Sequence, residues 1–293
     1  MEHRFHTLDV FTTNRFEGNP LAIITDGDGL SNDTMLAIAR EMNLSETVFV
    51  QKPTDDRALA RLRIFTPKEE LRLAGHPVVG TWFLLAELGV VPAQEGGVHI
   101  MQQTGAGVLP VEIRFKEGRP QRVSMTQTPA IFRPTKINKK HLASALGVSV
   151  SDFHSELEPQ YVSTGISNLM VPFRTRTGLG RIQMNINELR RLQAKNGTMA
   201  YCFALHGANK AFARGMLPWE PYEDPGTGSA AGSLGAYLVQ HGKLSPAQAF
   251  YVQQGVEMGR PSHIEVEVSQ TGKKLVPRVS GASVKVFEGT IRI

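Results

Sequence analysis

The residues best placed for chemistry lie in two glycine-containing loops, each directly before an apolar helix. The pairs are Gly75–His76, in the segment LRLAGHPVVGTWFLLAELG (71–89), and Gly228–Ser229, in DPGTGSAAGSLGAYLVQHG (224–242). A helix N-terminus presents unpaired N–H groups and about half a positive charge. Glycine lets a ligand approach the backbone, and an imidazole or a hydroxyl adds hydrogen bonds. Two such helix starts that face one another predict a carboxylate-binding site. Simple helix capping is the alternative for each pair.

A carboxyl group that could move a proton is Glu46, in the segment NLSETVFV. It stands where a predicted strand begins, between the apolar side chains of Leu44 and Val48. Partial desolvation raises the pKa of a carboxyl group toward neutrality, where it can both accept and donate a proton. A solvated carboxylate at the end of a strand is the alternative interpretation of this residue.

The two helices that carry the glycine pairs correspond to one another. With an offset of 153 residues, Gly75 falls on Gly228 and His76 falls on Ser229. Each helix is apolar on every face, so neither has a side for water. Interior glycines, which cost about 1 kcal/mol each against alanine, indicate close approach of surrounding strands. The sequence therefore predicts two β-rich domains, each built around one buried helix.

Hydrophobic periodicity places the other elements. Ser31 is a predicted N-cap for an amphipathic helix over residues 32–42. Alternating or apolar runs bounded by turn residues predict the strands. Further helices are predicted at 139–146 and near 187–195, and TQTPAIFRPT (126–135), with two prolines, is the best candidate for a domain boundary.

Composition narrows the class of protein. The chain has 293 residues and a net charge of +5, from 32 basic and 27 acidic residues without a basic block. No nucleic-acid partner is expected from that pattern. Cys202 is the single cysteine, which excludes a disulfide framework and a thiolate metal site. The N-terminus MEHRFHTLDVF has no apolar run, and no stretch is long enough for a membrane span, so a cytoplasmic protein is expected.

The chain resembles the phenazine-biosynthesis PhzF-like family, which has the diaminopimelate-epimerase-like fold. The resemblance rests on segments spread over the whole chain in the order of the family. They are DVFTTNRFEGNPLAII, NLSETVFV, FTPKEELRLAGHPVVGT, STGISNLMVP, EDPGTGSAAGSLGAYL, QGVEMGRPS and VSGASVKVFEGTI.

The resemblance implies an α+β fold of two pseudo-symmetric domains, each a mostly antiparallel β-sheet or barrel wrapped around a central α-helix. The C-terminal strand is expected to return to the first domain. The predicted domains are therefore residues 1–127 with 282–293, and residues 128–281. The resemblance also implies a homodimer, no cofactor, no metal, and a substrate site between the two domains.

The activity implied by the resemblance is a cofactor-independent isomerisation. In the family a hydrogen moves between carbons of a dihydro-hydroxyanthranilate ring, a tautomerisation follows, and one glutamate carries the proton. That residue corresponds to Glu46. His76 and Asp224 are then expected to hold amino or hydroxyl groups of the substrate and to assist the proton transfer. Substrate binding is expected from Asn19, Gly75, Gly228 and Ser229, although a turn-forming role explains Asn19 equally well.

Two other functions stay open at the level of sequence. One is a protein that binds a small carboxylate, or an interaction partner, without catalysis; such a protein has no need of the glutamate. The other is a one-base amino-acid epimerase or racemase. Racemases of this fold use two opposed cysteines directly before the two glycines, where this chain has Ala74 and Thr227. Neither side chain can act as an acid–base thiol. The physiological substrate, any link to phenazine synthesis and the role of Cys202 are not determined by the sequence.

Overall fold

The computed structural model describes residues 2–193, 199–219 and 222–293 and divides the chain into two compact units. The first unit comprises Met1–Thr126 and Ser280–Ile293, and the second comprises Gln127–Val279. The predicted division had fallen at residues 127/128 and 281/282. Within the described residues, no helix is both long and apolar enough to cross a membrane.

The first unit is a sheet around the central helix α2 (Gly75–Glu87), and the amphipathic α1 (Asn32–Met42) packs against strands of that sheet. Its strands are β1 (Glu2–Val10), β2 (Asn19–Ile24), β3 (Thr47–Gln51), β4 (Ala60–Phe65), β5 (Glu70–Leu71), β6 (Val98–Thr104), β7 (Gly107–Lys116), β8 (Arg119–Thr126) and the C-terminal β18 (Ser283–Arg292). The strand order is β18-β1-β2-β3-β4-β6-β7-β8, with β5 beside β4.

The second unit repeats this plan around α6 (Gly228–Gln240). Its strands are β9 (Ile131–Pro134), β10 (Gln160–Ser163), β11 (Ser167–Phe173), β12 (Ala200–His206), β13 (Lys210–Met216), β14 (Glu223–Asp224), β15 (Phe250–Gln254), β16 (Ser262–Thr271) and β17 (Lys274–Gly281). Its other helices are α3 (Lys139–Leu146), α4 (Arg176–Gly180) and α5 (Ile186–Gln193). The strand order from β9 is β9-β10-β11-β12-β13-β15-β16, with β14 beside β13.

The pseudo-symmetry is visible in the pairing pattern. From β1 to β7 the successive pairings are antiparallel, parallel, antiparallel, parallel and antiparallel. From β10 to β16 the same five pairings follow in the same order. In each unit a two-residue strand precedes the central helix. The predicted fold class, mostly antiparallel with one buried helix per unit, is confirmed.

The elements follow the sequence pattern with a few exceptions. The helices predicted at 32–42 and 139–146 are found at those bounds, and Ser31 accepts a hydrogen bond from the backbone of Thr34 as the N-cap of α1. The helix predicted near 187–195 is α5, and residues 194–195 of that prediction lie outside the described residues. The segment FHTLDVFTT (5–13) predicts the first strand, which runs from Glu2 to Val10 in the structure. It ends at Val10 because Phe11 adopts a positive φ of 66°.

The proline-containing segment chosen as a domain boundary includes a strand that the prediction missed. Ile131–Pro134 forms β9, which pairs antiparallel with β10. Because β9 is only four residues long and ends in a proline, it carries little periodic signal.

Gly80 and Gly235, inside the central helices, lie against neighbouring strands as expected, whereas Gly232 faces the side chain of Gln127 outside any strand. A Cβ on Gly235 would stand 2.7 Å from Cγ1 of Val266 and 3.0 Å from Cγ2 of Val268. Both valines are fully buried on β16, so neither can move away without disturbing the core. The second central helix can therefore pack this closely only with glycine at the position.

We expect Gly235→Ala to lower the free energy of unfolding by about 1–2 kcal/mol, because overpacking against the two valines exceeds the gain in helix propensity. Urea unfolding followed by circular dichroism measures the change. Gly97→Ala is the control, because a Cβ there would meet Ile113 O at an ordinary 3.6 Å. A Gly235→Ala variant as stable as the parent would contradict the close packing.

Candidate active site

Glu46 and His76 lie together in the first unit. Glu46 stands directly before β3, which begins at Thr47, one residue later than the predicted start at Glu46, and His76 is in the first turn of α2. Oε2 of Glu46 and Nε2 of His76 are 3.3 Å apart, which is ion-pair distance without the alignment of a hydrogen bond. Both side chains are largely shielded, with 17% and 7% of their surface exposed. A carboxyl and an imidazole thus share one poorly solvated place.

Asn19 and Ser45 orient the imidazole from its other side. The side-chain amide of Asn19 contacts Nδ1 of His76 at 3.3 Å, and the hydroxyl of Ser45 donates to Oδ1 of Asn19 at 3.4 Å. With Oδ1 accepting from Ser45, the NH₂ group of Asn19 faces the ring and donates to Nδ1. The remaining ring proton of a neutral His76 is then on Nε2, the nitrogen that faces Glu46.

The imidazole is neutral at ordinary pH. Burial lowers the pKa of His76 to about 3, because its cation loses hydration that the surroundings do not replace. Although the carboxylate of Glu46 favours the cation, burial outweighs this attraction. His76 therefore presents a neutral N–H on the side of Glu46, where it can donate to a ligand.

The second unit brings Asp224 next to the start of α6. Asp224 ends the two-residue strand β14, whose pairing with Gly215 in β13 fixes its backbone. Its carboxylate accepts a hydrogen bond from the hydroxyl of Thr227. Gly228 and Ser229 follow as the first residues of α6, and their carbonyls accept from Gln127 at 3.0 Å and Thr164 at 3.2 Å. Hydrogen bonds therefore hold this helix start on several sides.

Neither central helix has a side-chain cap among the described residues. The N-cap of α2 is Ala74, which has no polar group, and the N-cap of α6 is Thr227, whose hydroxyl bonds Asp224 instead of the helix. No acidic residue stands in the first turn of either helix. The first N–H groups of both helices are thus available for an anion.

The structure gives no role in proton transfer to the cysteine. Cys202 is fully buried in the core of the second unit, and burial raises the pKa of its thiol. In the described part of the chain, no three His, Cys, Asp or Glu side chains are grouped to hold a metal ion.

Comparison with known proteins assigns the family. The model of the phenazine biosynthesis-like protein family matches residues 8–289. The chain belongs to this family. It is 34% identical to an uncharacterized isomerase of Mesorhizobium japonicum, with 97% of each chain covered. It is 32% identical to the trans-2,3-dihydro-3-hydroxyanthranilate isomerase of Pseudomonas aeruginosa, with 98% of each covered.

A solved structure agrees with this assignment. The phenazine biosynthesis protein of Bacillus anthracis, a PhzF family member, superposes with a TM-score of 0.90 at 28% identity, with all of both chains covered. Family membership and the enzyme class are therefore established together, and the chain is an isomerase. Its substrate, the role of each site residue and the homodimer stay predictions.

The structure adds residues that sequence reasoning did not assign to the site. In the sequence Ser45 is only the residue before Glu46, but in the structure its hydroxyl contacts Asn19. Thr227 was noticed only as the position of a missing thiol, but its hydroxyl bonds Asp224. Gln254, on β15, was not noticed at all and bonds both Asp224 and Thr227. Hydroxyl and amide residues are common on surfaces, so their types alone gave no signal.

Proposed function

We propose that this chain is a cofactor-independent isomerase in which Glu46 moves a proton between two carbons of a small carboxylate-bearing substrate. The substrate class is an amino or hydroxy acid, cyclic compounds included. The carboxylate of Glu46 takes a proton from one carbon, the electron pair shifts through the adjacent unsaturated bonds, and the same carboxyl returns the proton to another carbon. One acid–base group serves both steps, so no net proton is consumed.

The observation that carries the proposal is the place of Glu46 beside a neutral, oriented imidazole. The two groups are 3.3 Å apart and mostly shielded from water. A group that must accept and then donate a proton needs a setting that stabilises neither protonation state too strongly. Shielding disfavours the carboxylate, whereas a neutral N–H donor favours it modestly.

His76 is proposed to assist by donating from Nε2 while it stays neutral. Asn19 holds the ring through Nδ1, and this contact sets the tautomer. Asn19 is therefore proposed to act on the substrate through His76 rather than only as a residue of a turn. The resemblance assigns Asp224 to an amino or hydroxyl group of the substrate. It assigns Gly75, Gly228 and Ser229 to the carboxylate, in keeping with the uncapped helix starts.

Proton NMR in heavy water tests the proposal. The first compound is trans-2,3-dihydro-3-hydroxyanthranilate, the compound named for the Pseudomonas aeruginosa relative. A panel of cyclic and acyclic amino and hydroxy acids follows. We expect one or more compounds to isomerise or to take up deuterium at carbon. Because the proposal requires a carbon acid, exchange that needs an added metal ion or cofactor would contradict it.

The two alternative functions, a one-base epimerase or racemase and a non-catalytic carboxylate-binding protein, give different results in the same NMR experiment. A one-base epimerase or racemase exchanges the α-hydrogen of an amino acid and inverts its configuration, which a chiral assay detects. A carboxylate-binding protein without catalysis shifts protein resonances when a compound is added but exchanges no carbon-bound hydrogen.

A further inference from the structure

Gln254 joins three parts of the second unit at one buried amide. It is the last residue of β15 and is fully buried. Its Nε2 donates to the carbonyl of Asp224 at 2.7 Å and to Oγ1 of Thr227 at 2.9 Å. Its Oε1 accepts from the backbone N–H of Thr227 at 3.1 Å and from the hydroxyl of Tyr201 at 2.8 Å. The amide therefore binds both ends of the turn from Asp224 to Thr227.

The backbone partners fix the orientation of the Gln254 amide and the direction of each hydrogen bond that it makes. A carbonyl can only accept and a backbone N–H can only donate, so the amide of Gln254 can have only one orientation. The hydroxyl of Thr227 must then accept from Nε2. Its single proton is left to donate, and Oδ2 of Asp224 is a much stronger acceptor than Sδ of Met199, which lies 3.8 Å away. Oδ2 of Asp224 is then the acceptor, and a hydrogen bond of this direction stabilises the ionised form of the carboxyl group.

Tyr201 closes the network on the far side. Burial and the nearby charge of Asp224 raise the pKa of Tyr201 well above its usual value. Its hydroxyl thus keeps its proton and donates to Gln254. Gly215, the register partner of Asp224, makes room for this amide, because a Cβ there would lie 3.0 Å from Nε2 of Gln254.

We propose that Thr227 and Gln254 are positioning residues that hold Asp224 as an ionised acceptor of fixed orientation. The proposal rests on the proposed function, in which Asp224 binds a polar group of the substrate. It also restricts that group. Because the carboxylate already accepts from Thr227 and has no proton to give, its partner on the substrate must be a donor. An amino, ammonium or hydroxyl group fits, and a second carboxylate or a carbonyl does not.

The titratable groups near Asp224 are engaged with other partners or stay neutral. Arg214, on β13, makes a paired contact with Glu223 at 2.9 and 2.7 Å and also bonds two backbone carbonyls. Its charge is thus largely matched by Glu223, with Glu257 as a further acidic neighbour. Tyr201 stays neutral. The hydroxyl of Thr227 donates directly to the carboxylate, so its removal should be felt at Asp224.

Carbon-13 NMR of the full chain, labelled at the aspartate carboxyl carbons, tests the proposal without any substrate. Asp224→Asn identifies the resonance of Asp224. We expect Thr227→Val to move its titration midpoint upward by about one pH unit or more, since a hydrogen bond to a charged group contributes about 1.5 kcal/mol or more. Thr227→Ser keeps the hydroxyl and should keep the midpoint. Thr227→Ala gives the same readout as valine if the valine variant does not fold.

Matched control variants remove a buried hydroxyl or a buried amide in the first unit. Thr81→Val removes a buried hydroxyl within α2, and Gln102→Leu removes a buried amide that accepts from Trp82 at 2.7 Å. Neither should move the resonance of Asp224, whereas Gln254→Leu should move it in the same direction as Thr227→Val. An unchanged midpoint in folded Thr227→Val and Thr227→Ala would overturn the proposal.

Kinetics separate this proposal from the proposed function. With a compound that the parent isomerises, Thr227→Val should lower kcat/KM about tenfold, mainly through KM, and Thr227→Ser should restore it. If the parent isomerises no compound while the midpoint still moves, the proposed function fails and the positioning of Asp224 stands. If kcat/KM falls equally in the valine and serine variants, the hydroxyl is not the cause and the positioning role is wrong.

Discussion

Glu46→Gln lowers kcat/KM for the isomerised substrate by about 10³-fold or more and abolishes deuterium uptake, while the chain stays folded. Glutamine keeps the shape and the hydrogen-bonding reach of the side chain but can neither accept nor return a proton. General acid–base catalysis contributes about 10²- to 10⁴-fold, and here one residue is proposed to serve both steps. The measurement is proton NMR in heavy water, with initial rates compared at equal enzyme concentration.

The control for this substitution is Glu87→Gln. Glu87 lies at the end of α2 in the first unit, where its side chain is exposed although the surrounding protein still raises the pKa of its carboxyl by partial desolvation. It has no place in the proposed mechanism and its variant should keep the parent rate. Glu46→Asp retains an acid–base group but withdraws it by one methylene, so its rate should fall between those of parent and glutamine. Parent-like exchange in Glu46→Gln would rule out the proposed mechanism.

The fold could be predicted from the sequence because the patterns that indicate it are local runs of apolar residues. A helix without a polar face must be surrounded, and two such helices at matching positions predict two similar units. The residues from His76 to Ala86 are all buried, as that argument requires. The strand that ends at Val10 illustrates the limit. The strand ends there because the backbone of Phe11 is in the left-handed region. An apolar side chain does not predict that conformation.

The site could be predicted from the sequence only in part, because its contacts join residues that are far apart in the chain. Asn19 reaches His76 across 57 positions, and Gln254 reaches Asp224 across 30. Composition and periodicity cannot pair such residues. Family resemblance supplied Glu46, His76 and Asp224 as candidates. It did not supply the hydroxyl and amide groups that set their hydrogen-bond directions, because those follow from how the strands are registered.

The largest effect of pH on folding is expected from His76. Its pKa is about 3 in the folded state and about 6.5 when unfolded. Between these values the unfolded chain binds a proton that the folded chain does not, so the free energy of unfolding falls as the pH falls. The loss is about 1.4 kcal/mol per pH unit, or about 3 kcal/mol between pH 7 and pH 4. His76→Asn should remove this part of the pH dependence.

Urea unfolding at several pH values measures the slope in parent and variant, so a constant difference in packing cancels. His141→Asn is the control, because the imidazole of His141 is exposed on α3 and solvent reaches it in both states. An equal slope in parent and His76→Asn would mean that His76 takes up its proton in the folded chain as readily as in the unfolded one.

The same neutrality bears on the chemistry proposed for Glu46. An imidazolium 3.3 Å from the carboxylate would form an ion pair and oppose its protonation, which would leave the glutamate able to donate only at low pH. A neutral Nε2–H stabilises the carboxylate by a weaker interaction, so Glu46 can still be protonated and deprotonated during the reaction. We therefore expect that the pH dependence of the isomerisation rate shows no titration of His76 between about pH 5 and pH 9. A change of rate in this range that disappears when His76 is replaced would contradict its proposed role.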